Sequence, residues 1–428
     1  MNHNKFKHLR SKVMFTIVGG AVIINPLYAQ DAQPAAPAAQ QSQKPDLTTL
    51  QTVTVSGVRN SLEQSMNIKR YAIGGVDAVS AEDIGKMPDT NLAESLQRIT
   101  GVSIDRRNGE GSQVTVRGFG PNFNLITIDG RTVPGADAFG AAGQVPIGGV
   151  DGGTRSFNFA QLSPNGVSSL EVYKTGRADV ASGGIGATID IRTDRPFNHE
   201  GGKLVGSFGA KGTLDKSQPF DTSITPEYSG NFSYANPDKT WGIGLDASFA
   251  KRHGGAVEAT ENNWGIQPWT GAANGFNFDP TKGPVTNVTN APAIGQLYGM
   301  PNDVRYAVND FSSDRTNAHA VLQFAPVDGL TMTLDYLYSR YDLTSNRGEQ
   351  SMWLQQQHFS DVTFDTSGAV ATPTYIRDVV QTKDFGLEQQ HNAQKYKLDD
   401  IGFNTEWAVN DSLKLTLDLH DAKSQSLP

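Results

Sequence analysis

The sequence predicts a mixed α+β domain followed by the first strands of an antiparallel transmembrane β-barrel. Three observations carry this. Residues 57–196 mix short capped helical runs with β-prone segments. After Pro196 apolar residues recur at every second position, the strand period. The connections between those strands alternate strictly between tight turns and long segments, as bacterial barrels distribute turns to the periplasm and loops to the outside.

Taken in order, residues 1–29 read as an export signal. Lys5, Lys7, Arg10 and Lys12 form a basic start, Val13 to Leu27 is mostly apolar, and Leu27-Tyr28-Ala29 is an acceptable cleavage site. Cleavage there removes four positive charges and leaves the chain more acidic than its formal −8, a balance that argues against a nucleic-acid partner. Residues 30–50, rich in Ala, Gln and Pro at their start, read as a flexible tether too short for a further folded domain. Residues 51–57 follow, with Thr52-Val53-Thr54-Val55-Ser56 as a Pro-free alternating run; it suits an ordinary first strand, or a segment kept extended for a partner's sheet edge.

The next domain is taken as 58–196. Ser80-Ala81-Glu82-Asp83 opens a helical turn in capping-box style. Asp89 or Asn91 can cap a second helix with Leu92, Leu96 and Ile99 as its apolar stripe and Gly101 at its end. Val114-Thr115-Val116 reads as a strand. Leu125–Ile128 and Arg131–Val133 flank Asp129-Gly130, a strong tight-hairpin signal.

Residues 197–428 supply seven alternating stretches: 203–211, 227–235, Trp241–Phe249, 317–325, 331–339, 400–408 and Leu413–Leu419. Tight turns stand at Asn236-Pro237-Asp238-Lys239, Pro326-Val327-Asp328-Gly329 and Asn410-Asp411. The long outer loops fall near 253–315 and 346–396. A soluble sandwich shares the strand pattern but is not expected to confine its long loops to one end.

Composition limits the chemistry. There is no cysteine among 428 residues, which excludes disulfides, thiolate metal sites and thiol catalysis. Mean hydropathy is −0.40, and outside the signal no run of about 18 apolar residues could form a transmembrane helix; a barrel strand meets lipid only at alternate residues, so a low average is compatible with it. No phosphate-binding loop, metal-ligand cluster or catalytic triad stands out, and neither enzymatic activity, a cofactor nor a metal is expected. His319 and His420 fall on polar strand faces and read as solvated lumen residues.

The stretch Val116-Arg117-Gly118-Phe119, then Ile128-Asp129-Gly130-Arg131, Leu170-Glu171-Val172-Tyr173-Lys174, Gly183-Gly184-Ile185-Gly186-Ala187-Thr188-Ile189-Asp190-Ile191 and Thr193-Asp194-Arg195-Pro196, resembles the plug of TonB-dependent outer-membrane receptors in order and spacing. Arg117, Gly118, Asp129, Gly130, Gly183, Gly184 and Gly186 are the plug motif residues this resemblance marks. It also implies that Thr52, Val53, Thr54, Val55 and Ser56 are a TonB box, paired with TonB (energised by ExbB-ExbD) as an added strand. Ala81–Lys86, Leu96-Gln97-Arg98 and Asp105–Gly111 look like the Caulobacter and Xanthomonas subgroup. That implies active uptake of an oligosaccharide across the outer membrane, with a siderophore or haem receptor as the alternative of the same family and a secreted soluble β-rich binding protein as the rival from another class.

Ligand contacts are sought at Arg106, Arg107, Asn108 and Glu110 on the plug, and at Trp264, Trp269 and Trp353 in the loops, where rings can stack on sugar faces. The same aromatics suit an interfacial girdle or loop packing. Set against the roughly 22 strands of a plugged transporter barrel, seven strands imply an N-terminal fragment of a longer chain.

Overall fold

The computed structural model describes residues 56–80, 91–107, 109–135, 155–178, 180–216, 223–270, 287–354, 359–378 and 385–427. The export signal, the tether, Thr52–Val55 and the helical turn at Ala81–Asp83 lie outside these.

Helix α1 spans Ser56–Tyr71, with Lys69 and Arg70 in its last turn, where cations favour the helix dipole. This corrects the extended reading of Ser56 and Gly57: both are helical. Helix α2, Leu92–Leu96, is capped by Asn91, whose Oδ1 accepts from Ala93 N and Glu94 N. It is shorter than expected. Ile99 follows it in a turn, and Gly101 adopts φ +77°, so the chain reverses there.

Seven strands form the plug: β1 Val76–Ser80, β2 Val102–Arg107, β3 Glu110–Val116, β4 Asn124–Ile128, β5 Arg131–Thr132, β6 Val167–Tyr173 and β7 Ala187–Thr193. β2 and β3 pair as a hairpin, and the other five form one sheet in the order β1-β6-β7-β4-β5. Only the β4–β7 pair is parallel in that sheet. Leu92, Leu96, Val116, Leu170, Val172 and Ile189 are fully buried between sheet and helix. Leu398 of the wall joins this core, and Leu337 of the wall packs against it.

The wall is built from β8 Leu204–Leu214, β9 Ile224–Ala235, β10 Trp241–Pro268, β12 Leu297–Phe324, β13 Leu330–Trp353, β16 Gly386–Asn410 and β17 Leu413–Leu427. Each is antiparallel to its neighbour in chain order. A strand is present at each of the seven expected stretches, and Lys239 and Gly329 take positive φ at two of the three expected tight turns. Trp241, Leu245, Leu322, Phe324, Leu334, Ile401, Trp407, Leu413, Leu415, Leu417 and Leu419 remain exposed on one face. The opposite face carries Asp246, His319, Asp335 and Ser339 against the plug, the division that lipid outside and a packed lumen require.

The long loops are largely strand, which corrects their extent. β10 and β12 pair without a break from Trp241↔Phe324 to Asn262↔Asp303, and β13 with β16 from Leu330↔Trp407 to Ser351↔Gly386. About ten residues cross a bilayer, so these strands run well beyond it, and their outer halves lose the period-two signature. The remaining connections carry β11 Asn287–Thr289, β14 Phe359–Asp365 and β15 Val370–Asp378. These pack a second cluster of Trp269, Tyr298, Met300, Phe359 and Phe364.

Candidate functional site at the seam between plug and wall

Two similar turns fix the plug motif. Arg117 and Gly118 have φ of 53° and 79°, and Val116 and Phe119 exchange backbone hydrogen bonds around them. The Arg117 guanidinium reaches across to donate to the Gly186 carbonyl at 2.6 Å. It thereby holds the bend containing Gly183, Gly184 and Gly186, where a Cβ on Gly184 would run into the Ala187 carbonyl. Asp129 and Gly130 have φ of 50° and 82°, the two left-handed residues that a type I′ hairpin needs.

That second hairpin is tied to β7 by carboxylates. Asp129 accepts from Thr193 N (3.1 Å) and Thr193 Oγ1 (2.5 Å). Asp190 Oδ1 accepts from Thr127 Oγ1 (2.7 Å) and Gly130 N (2.9 Å). Burial pushes the Asp190 carboxyl above its ordinary pKa, although Arg192 beside it pulls the other way.

The hairpin aims Arg131 out of the plug and into the wall. Its side chain is 3% exposed. Nη1 donates to both Asp335 oxygens on β13 (2.7 and 2.9 Å), and Nε donates to Asp418 on β17 (2.9 Å). Burial alone would lower the Arg131 pKa, but the two aspartates outweigh it and hold it above the usual arginine value. Gly402 on β16 leaves room for this guanidinium, since a Cβ there would overlap Arg131.

The rest of the seam is also polar. Ser163 N donates to Asn317 Oδ1 (2.9 Å), and Asn317 Nδ2 to the Gln161 carbonyl (2.9 Å). Ser339 Oγ also donates to that carbonyl (2.8 Å), and Arg315 to the Ala160 carbonyl (2.8 Å). Phe197 N donates to Gln323 (2.8 Å). A cavity of about 40 Å³ lies between Leu162–Val167 of the plug and Asp246, Asn317 and His319 of the wall. His319 is therefore buried, 3.6 Å from Asp246, and not solvated as expected; the plug covers its strand face. His420 is exposed.

The proposed ligand residues separate. Arg106 is half exposed and bonded to Glu94 (2.6 Å) and Gln97 (3.0 Å) at the edge of the plug. Asn108 and the Arg107 side chain lie outside the described residues. Glu110 is 3% exposed and faces Arg252 and Arg315 of the wall. Trp264 is half exposed and donates to Glu261 (2.8 Å), and Trp353 is half exposed at the end of β13. Trp269 is buried, stacked edge-on against Tyr298 (5.3 Å) and Phe364 (5.8 Å). It is thus a core residue of the outer lobe.

Sequence reading missed Arg131, Asp335 and Asp418 as a group. Arg131 lies 204 and 287 residues from the two aspartates, and only its position directly after a tight turn marked it.

Residues 69–188 match the TonB-dependent Receptor Plug Domain. The ferric enterobactin receptor PirA of Pseudomonas aeruginosa is 29% identical over 172 residues, which cover 38% of this chain and 21% of that protein. A second ferric enterobactin receptor of the same organism is 37% identical over 65 residues, 14% of this chain and 9% of the relative. The matched stretches thus span well under two thirds of those relatives. Among solved structures, the siderophore receptor PirA from Acinetobacter baumannii aligns over 84% of this chain and 58% of its own, at 12% identity and a TM-score of 0.33. Residues 69–188 thus match the plug domain of TonB-dependent receptors, and in the structure they are seated against a wall of long antiparallel strands with an apolar outer face.

Proposed function

We propose that the protein takes up a ferric siderophore across the outer membrane, driven by TonB acting on the segment Thr52–Ser56. The observation that carries the reading is the plug seated on the inner wall face. A lumen filled in this way does not pass its ligand by diffusion, so uptake has to couple ligand capture to plug displacement. The outer membrane holds no nucleotide pool, and the work comes through TonB. Thr52–Val55 stand immediately ahead of α1, whose C-terminal end is tied to the plug: Lys69 and Lys174 both bond Asp77. A pull on the segment therefore reaches β1 and β6 through one short path.

Ferric siderophore is favoured over oligosaccharide because the curated relatives are ferric enterobactin receptors. They lend nothing to the Caulobacter and Xanthomonas subgroup. Burial of Trp269 also removes one of three rings proposed for sugar stacking. The apolar outer face of the wall argues against a soluble secreted protein.

The test replaces Val53 or Val55 with Pro in the full-length protein, removing a backbone donor and fixing φ. Ferric siderophore uptake should fall while binding to cells stays unchanged. Equal loss of both would contradict the assignment of Thr52–Ser56. Growth of a deletion strain on a panel of iron sources and sugars separates the substrate classes; a defect confined to an oligosaccharide would overturn the siderophore reading.

A further inference from the structure

The outer face of the wall changes character along one oblique line. The lipid-side run of apolar and aromatic residues ends at Phe249 on β10, Ala318 on β12, Tyr338 on β13, Ile401 on β16 and Leu419 on β17. The next outward-facing residues are Lys251, Thr316, Arg340, Asp399 and Asp421. In register, this line climbs three rungs from β17 to β10. That is about 20 Å along the strands over about 19 Å across them, the slant of strands tilted by about 45° to a membrane plane. The tight turns lie at the other end, so the line marks the headgroups of the outer leaflet.

Just beyond the line, cations gather on β13, β16 and β17. Arg340 and Lys397 stand directly opposite each other, a like-charge pair that is unfavourable on its own. One rung outward Lys395 faces Asp342, and one rung inward Lys423 faces Asp399. Four cations thus surround two carboxylates. Asp342 holds Arg340 at 2.7 Å and Asp399 holds Lys397 at 2.8 Å, each along its own strand and partly exposed; such pairs bind weakly. Lys395 and Lys423 form no ion pair or hydrogen bond among the described residues, and Lys423 acts on Asp399 only at longer range. The remaining border acids lie at the edges of the patch, Asp421 beside Ile401 and Asp314 between Lys251 and Asp342. On the lipid side, Lys397 Nζ sits 5.5 Å from the Tyr338 ring centre, and Tyr336 Oη donates to Asp399 (2.8 Å).

We propose that Arg340, Lys395, Lys397 and Lys423 form a binding site for the phosphate of an outer-leaflet lipid headgroup. A phosphate between Arg340 and Lys397 replaces their repulsion with a shared attraction. The planar guanidinium can take two of its oxygens, and the ammonium groups the third. Basic groups at a membrane border attract anionic headgroups, and the acyl chains of the same lipid lie along Tyr336, Ile401 and Leu419. The proposal rests on the wall lying in the outer membrane and is independent of the ligand taken up.

The experiment titrates the full-length protein in neutral detergent with diphosphorylated lipid A and reads lipid retention by native mass spectrometry. Arg340→Gln and Lys397→Gln should each weaken binding at least fivefold. Asp342→Asn, which frees Arg340, should tighten it at least twofold, a gain that misfolding does not produce. Lys203→Gln removes the same charge beside Glu200 at the opposite end of the wall and should change nothing. Dephosphorylated lipid A should bind at least fivefold more weakly. Losses under twofold in Arg340→Gln and Lys397→Gln, an equal loss in Lys203→Gln, or equal binding of the dephosphorylated lipid would overturn the site. Displacement of the lipid by equimolar inorganic phosphate would also overturn it, by assigning the patch to a free anion. None of these outcomes bears on the test of Thr52–Ser56.

Discussion

Leu92, Leu96, Leu170 and Ile189 fill the plug interior with no exposed surface, whereas the plug meets the wall through Arg131, Glu110, Asn317, Ser339 and backbone carbonyls. The first kind of contact resists opening because separation exposes apolar area to water, at about 25 cal/mol per Å². The second can open in steps. Each hydrogen bond broken at the seam can be remade to water, at a net cost of about 0.5–1.5 kcal/mol. The contrast teaches that the plug is built to stay folded while its attachment gives way, with apolar crossing points at Leu398 and Leu337 and where Tyr341 and Tyr396 meet Ala160.

The largest effect that would break this contrast comes from Arg131. Arg131→Ala leaves Asp335 without its cation and should weaken the attachment by about 3–5 kcal/mol. Urea titration followed by limited proteolysis should find the plug released at lower denaturant with its own fragment intact. Cutting deeper, Leu170→Ala should cost the plug core about 2–5 kcal/mol. Here the plug fragment itself should become protease-sensitive, and its melting temperature should fall together with that of the attachment. A plug that melted alike in both variants would erase the distinction.

Gly130→Val tests the link between the two regions, because the hairpin both closes β4–β5 and aims Arg131. The φ of 82° costs a β-branched residue about 1–3 kcal/mol in strain. The variant should be intermediate, weakening attachment and plug melting alike in thermal denaturation.

The smallest effect concerns α1. Burial would raise the Asp77 pKa, but hydrogen bonds from Lys174 and Lys69 outweigh it and lower it below 3.8. Its contribution is therefore present above the unfolded value and is lost as pH falls through the lower folded value. The pair is partly exposed, so the effect is under about 1 kcal/mol. Asp77→Asn should flatten the acid limb of α1 amide protection below about pH 4 and change little at pH 7.

The strands were legible because their membrane-crossing parts keep one face in lipid. Trp241 to Phe249 and Leu413 to Leu419 alternate without interruption, and both were read to within a residue or two of their inner ends. Their outer continuations, such as Lys251 to Pro268, run past the ten or so residues that cross a bilayer and carry no period. Helix α1 was missed because Gly57, Asn60 and three serines dilute its propensity. Val58, Leu62 and Met66 at spacing four, followed by Lys69-Arg70 and then Gly74-Gly75, were the signals available.

The Asp129-Gly130 turn was legible because only left-handed residues close so tight a hairpin. The seam was not, because pairing Arg131 with Asp335 and Asp418 depends on how the wall curves around the plug. Glu110 illustrates the same limit. In the sequence it belongs to a charged turn, and in the fold it is enclosed by arginines more than a hundred residues away.

Hydrogen exchange at single amides tests the separable seam most directly, because two backbone donors cross it. Ser163 N bonds Asn317 and Phe197 N bonds Gln323, while Asp129 N and Val133 N bond within the plug. In the full-length protein the Ser163 and Phe197 amides should exchange well before those of Asp129 and Val133, and Arg131→Gln should speed the first pair alone. A single common exchange rate for all four amides, shifted together by Arg131→Gln, would contradict a plug that stays folded while its seam opens.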